Sequence, residues 1–173
     1  MEVSDFKIAL SRLDQGGVYA NRKGLWDMTG HRSRTYRLRL SEEGTDLFLA
    51  QHHRLARIAR SFIPYGATLG VAVLLMEKVE TDALVAELAM PSLKRLAGKS
   101  EHFVGATAAL NSATGAILNR LEESDLISVR PSVGALHNLA IALMESCEDS
   151  ELAKAWQRMQ AGIEMNSRIE RKI

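Results

Sequence analysis

At 173 residues with a formal charge of +1 at pH 7, the chain is long enough to bury a core and is not a uniformly basic nucleic-acid-binding mass. Aliphatic residues, Ala and Met dominate, while aromatics make up only 5% and Pro three residues, a mix that favours helices. The lone cysteine, Cys147, excludes an intramolecular disulfide and a Cys-based zinc cluster, and fits a reducing cytoplasm.

The earliest strong signal lies within residues 18–40. It reads as two antiparallel strands turning between Met28 and Arg32, with an arginine-rich tip. From Thr35 to Leu40 the residues alternate strictly. Tyr36, Leu38 and Leu40 take the covered face, and Thr35, Arg37 and Arg39 take the other, which is the period of a half-buried strand. Ser41 is the expected N-cap of the next element, with Glu42 and Glu43 in a first turn where the helix dipole favours acids.

Glu42 to Phe62 is predicted as one amphipathic helix, with Leu47, Phe48, Leu55, Ile58, Ala59 and Phe62 inward and Arg54, Arg57 and Arg60 outward. Pro64 should end it. Ala67 to Leu75 is hydrophobic all round, as in a helix buried at the centre of a bundle. The surrounding run, Pro64 to Met76, is too short to span a bilayer, and no N-terminal signal pattern is present. Thr81 starts another helix, with Leu84, Val85, Leu88 and Ala89 inward. Met90-Pro91-Ser92 breaks it, Ser92 is a candidate cap for Leu93 to Ala97, and Gly98 closes that short piece. Ser100 to Leu110 is compatible with several states. Asn111 or Ser112 is then expected to cap a helix carrying Ile117, Leu118 and Leu121, which ends at Ser124-Asp125. Leu126 to Val129 is a candidate short strand before Pro131. Val133 to Met144 and Ser150 to Ile173 are the last two predicted helices.

The residues His31-Arg32-Ser33-Arg34, followed by Leu40-Ser41-Glu42-Glu43-Gly44, resemble the wing of a MarR-like winged-helix protein and its step into a long helix. The resemblance covers roughly the first third of the chain. It implies that Asp5 to Leu13, closed by Gly16-Gly17, is the recognition helix, with Ser11 and Arg12 facing the major groove, and that Arg32 and Arg34 contact phosphate or minor groove. Such a domain places two or three helices ahead of the recognition helix. Here residues 1–4 alone precede Asp5, so the resemblance implies a fragment, helices supplied from elsewhere, or a hairpin that does not read DNA. Leu118 to Ile127 resembles the exit of a second recognition helix, though no basic wing follows it.

The cations reinforce that expectation. Arg22, Lys23, Arg32, Arg34, Arg37 and Arg39 concentrate where a phosphate backbone would lie, and residues 1–60 hold eleven Lys/Arg against seven Asp/Glu, whereas 61–173 hold eleven against fourteen. An outward charged face that blunts edge pairing would look the same. Other patterns point away from catalysis. His52-His53 are adjacent on a helix and diverge, where a metal pair needs i and i+4. Gly98-Lys99-Ser100 ends like a phosphate-binding loop, but Leu93 stands where its leading glycine belongs. Ser4 and Lys7 share a Ser-x-x-Lys spacing with no other part of an acyltransferase, and Glu42-Glu43, Glu122-Glu123 and Glu148-Asp149 lie at helix ends, where capping explains them.

The last predicted helix carries a stripe of Leu152, Trp156, Met159, Ile163 and Ile169, suited either to a lid on the core or to a dimer interface anchored by Trp156. The sequence therefore predicts a mainly α helical bundle with one basic β-hairpin. A winged-helix-like segment spans 1–62 and a helical domain 63–173. The expected function is a cytoplasmic, dimeric DNA-binding transcriptional regulator without enzymatic activity, metal or cofactor. The alternative is a helical assembly subunit, kleisin-like or another protein-interaction module, whose hairpin and helices bind protein rather than duplex DNA.

Overall fold

The structure, a computed structural model, describes residues 34–170. Strand β1, Arg34–Leu40, realises the expected alternation: Leu38 and Leu40 are buried, Tyr36 is half-buried, and Thr35, Arg37 and Arg39 are exposed. Its described partner is strand β2, Ser100–Ala106, antiparallel, with Arg34 opposite Ala106 and Leu40 opposite Ser100. The upstream hairpin strand and the tip at 28–32 lie outside the described residues. Only Val104 is buried along β2. Its periodicity is too weak to announce a strand, and the pairing with β1 supplies the order its sequence does not.

Ser41 caps helix α1, Glu42–Ala59, by accepting the Gly44 N–H at 3.0 Å, as the sequence indicated. Arg60, in the left-handed region at φ 49°, terminates it, and its N–H returns to the carbonyls of Ala56 and Arg57. Phe62, expected on the inner face of this helix, lies beyond its end and is fully exposed. Helix α2, Tyr65–Met76, is buried from Gly66 through Val73 and packs against most of the other elements. A Cβ on Gly66 would overlap the Gly105 carbonyl oxygen, so the absent side chain lets β2 lie on the start of α2.

Helices α3, Thr81–Ala89, and α4, Pro91–Leu96, follow. Met90 occupies the N-cap of α4 in place of the expected Ser92. Pro91 takes the first helical position, where its missing N–H costs no hydrogen bond. Helix α5, Ala108–Glu123, starts earlier than predicted, because Thr107 rather than Asn111 or Ser112 accepts the Leu110 N–H, at 3.1 Å. Asp125, at φ 54°, follows its end. Leu126 to Val129 forms no strand, and Leu126 and Val129 are exposed. Helices α6, Val133–Ser146, and α7, Asp149–Glu170, complete the bundle.

These elements share one core. Leu55, Leu69, Leu84, Leu110, Ile117 and Leu136 are among its fully buried side chains. Within the described residues α1 packs on α2, α4, α6 and α7, across position 62. The described chain is mainly α with a small two-stranded antiparallel sheet. No helix among the described residues is long and apolar enough to cross a membrane.

Candidate functional site

The expected DNA-contacting residues are only partly within view. Ser11, Arg12, Arg22, Lys23 and Arg32 lie outside the described residues, and so does the side chain of Arg34. Arg37 and Arg39 stand on the outer face of the sheet, where the pleat sends every second residue away from the core. Neither is free. Glu101, directly opposite Arg39 on β2, takes both guanidinium groups on one carboxylate oxygen, with Oε1 2.9 Å from Arg39 Nη2 and 3.3 Å from Arg37 Nη1. Sequence reading missed this pairing, since 62 residues separate Arg39 from its acid and β2 was not foreseen.

Two residues of the expected dimer stripe face inward. Leu152 and Met159 are buried within the chain's own core, where α7 lies on α1 and α2, and Met159 passes over Gly70. Trp156 is half-buried against the same core. Leu152 and Met159 therefore leave almost no surface for a second protomer, while Trp156 keeps part of its own. The side chain of Ile163 lies outside the described residues.

Polar groups within the bundle serve the fold. Arg54 reaches from α1 to the end of α6, where Nη1 donates to the Met144 carbonyl at 3.0 Å and Nη2 to that of Cys147 at 2.5 Å, while Nε meets Asp149 Oδ1 at 2.7 Å. Arg120 does the same for α2, donating to the carbonyls of Met76, Glu77 and Val79 at 3.0–3.2 Å. Both add donors at and just past helix C-termini, where carbonyls run short of intrahelical partners. His137 is buried, 3.3 Å from the Thr114 hydroxyl through Nε2 and edge-on to the Tyr36 ring; burial pushes its pKa from 6.5 down to about 4. His52 Nδ1 pairs with Thr68 Oγ1 at 2.7 Å, and burial, then the neighbouring His53, lower its pKa. Burial likewise raises the Cys147 thiol. Among the described residues no group of three or more His, Cys, Asp or Glu converges as a metal site would require.

Two surface depressions stand out among the described residues. One, of about 350 Å³, lies beside β2 and is lined by Phe48, Leu49, Tyr65, His102 and Phe103; of these Leu49, Tyr65 and Phe103 are exposed. The other, of about 510 Å³, opens where α1, α3, α4 and α6 meet. Its geometry begins at Ser41, whose hydroxyl donates to the Arg95 carbonyl and whose N–H donates to that of Leu96, fixing the end of α4 on the start of α1. Gly44 permits the approach, because a Cβ there would overlap the Leu96 carbonyl oxygen. Helical spacing then puts Glu43, Asp46, Leu47 and Ala50 on one wall at i, i+3, i+4 and i+7. Leu93, Leu96 and Leu139 form an apolar floor, and Glu87 and Glu145 close the rim. Arg95 is the single cation lining it, 3.8 Å from Glu43. The sequence carries a small part of this signal: Glu43 reads as a dipole partner of α1, Asp46 has no local role to announce it, and their juxtaposition with Glu87 and Glu145 arises only in the fold.

Comparison with protein-family models, with curated proteins and with solved structures finds no match for this chain.

Proposed function

We propose that this chain is a protein-interaction module, a helical subunit of an assembly, rather than a DNA-reading regulator. The observation that carries the reading is the groove between α1, α3, α4 and α6: a concave surface with an apolar floor and a charged rim, built on four rigid helices. That anatomy matches a protein-binding patch, where a desolvated apolar centre supplies affinity and the polar rim selects the partner. The DNA reading draws less support, since Glu101 engages both outward arginines of β1 and offsets one of their two charges, and its other expected contacts lie outside the described residues. In the interaction reading the module works in the cytoplasm, bringing partners together without a chemical step.

Fluorescence anisotropy on the full chain tests it, using a labelled random-sequence duplex and a set of labelled amphipathic helical peptides of differing charge. At least one peptide should bind, and Ala50→Trp, which fills the groove from an exposed position, should abolish that binding. Duplex affinity should stay in the non-specific range, with Kd of about 10⁻⁴–10⁻⁶ M at physiological salt. Tight duplex binding that collapses in Arg37→Ala/Arg39→Ala, with no peptide bound, would overturn the reading in favour of DNA.

A further inference from the structure

We infer that the groove docks a basic amphipathic helix of a partner protein. This rests on the interaction-module reading and names the chemistry of its occupant. Sign comes first. Glu43, Asp46, Glu87 and Glu145 face Arg95 alone, a formal excess of three negative charges around an apolar floor. All four carboxylates belong to exposed residues; Glu43 lies 3.8 Å from Arg95, and Asp46, Glu87 and Glu145 stay available to an incoming cation. An acidic or phosphorylated partner would meet like charge on three of the four helices, where Lys and Arg flanking an apolar stripe would each find a carboxylate. The same field disfavours the phosphate backbone of a nucleic acid.

Conformation follows from the walls. An extended peptide binds by adding to a sheet edge, where unpaired backbone N–H and C=O groups receive it. Here every wall is helical, and helix interiors have spent their backbone hydrogen bonds internally. A partner entering this groove must therefore satisfy its own backbone, which a helix does. Leu47 and Ala50 on α1 and Ala142 on α6 keep apolar surface above the buried floor of Leu93, Leu96 and Leu139, so apolar side chains spaced at i, i+3 or i+4, and i+7 have a surface to meet.

The test uses the full chain and three labelled helical peptides with an identical Leu stripe and polar faces of Lys/Arg, Gln/Ser or Glu/Asp. In low salt the basic peptide should bind about tenfold or more tighter than the neutral one, with the acidic one weakest, and added salt should narrow the gap. The neutralised variant Glu43→Gln/Asp46→Asn/Glu87→Gln/Glu145→Gln should lose that advantage while retaining the neutral peptide's affinity, its fold checked by circular dichroism. Ala50→Trp should abolish all groove binding. If the three peptides bind alike and Ala50→Trp releases them, the interaction module stands and the basic-partner inference falls. Preference for the basic peptide that survives neutralisation also overturns the inference, since the attraction would then arise elsewhere. Duplex binding with no peptide bound removes both.

Discussion

The arginines inserted between helices and the arginines on the sheet belong to one residue type and do opposite work. Arg54 and Arg120 are partly buried, each spread over backbone carbonyls of another helix. Arg37 and Arg39 are more than half exposed and share a single carboxylate. Charge-assisted hydrogen bonds to carbonyls at helix ends gain from a dry surrounding, whereas exposed ion pairs are screened by water and salt. Burial, more than charge, separates what holds this bundle together from what its surface leaves open to partners.

The widest gap in that comparison should come from Arg120. Truncation to Ala strands the carbonyls that close α2, the element at the centre of the core, and should cost roughly 3–4 kcal/mol in a urea melt. Arg54→Ala should cost roughly 2–3 kcal/mol by the same logic. Lysine should recover only part of either loss, since a point charge cannot span several carbonyls. If Arg120→Ala were as mild as a sheet arginine variant, burial would not be what distinguishes the two sets.

His137 extends the contrast to pH. Its folded pKa of about 4 lies below the usual 6.5, so between those values the unfolded chain binds the extra proton. Stability from this group is complete above pH 6.5 and declines as pH falls towards 4, where the loss approaches about 3 kcal/mol and levels off. Chemical melts from pH 7 to pH 4 should show that slope, and His137→Leu should flatten it. Glu151 has the opposite position: exposed hydrogen bonds from Lys78 and then Lys154 hold its carboxyl down to about 2. Its contribution is present above 4.5 and fades only in stronger acid, so the two effects separate along the pH axis.

Local patterns were legible where the chain decides structure by itself. The β1 alternation, the Ser41 cap and the all-apolar α2 were all readable, because period and capping act within a few residues. What escaped notice depends on distant segments. β2 is ordered by a partner 60 or more residues away in sequence, Arg120 finds its carbonyls some 41–44 residues upstream, and the groove rim assembles from three helices. The α7 stripe shows a further limit: Leu152 and Met159 have the spacing of both a lid and an interface, and only the packing of α7 on α1 and α2 decides between them.

The smallest stability effect belongs to the sheet face, and it sharpens the comparison most. Glu101→Gln removes the carboxylate that engages Arg37 and Arg39 but leaves the strand pairing and the polar shape in place. Both arginines and Glu101 are substantially exposed, so stability should change by less than about 1 kcal/mol, and the change should shrink further in high salt. A loss comparable to that of Arg120→Ala would mean that the pair bears on the fold after all. The same variant exposes the functional alternative. With their acid gone, the two guanidiniums become available to phosphate, and each new phosphate contact steepens the log–log salt dependence of duplex binding by about 0.9. In the interaction-module reading Glu101 keeps an outward basic strand from attracting nucleic acid, so Glu101→Gln should raise duplex affinity from a low baseline without altering peptide binding in the groove. A native protein that already binds duplex steeply with salt, indifferent to Glu101→Gln, would place its phosphate contacts away from this sheet face.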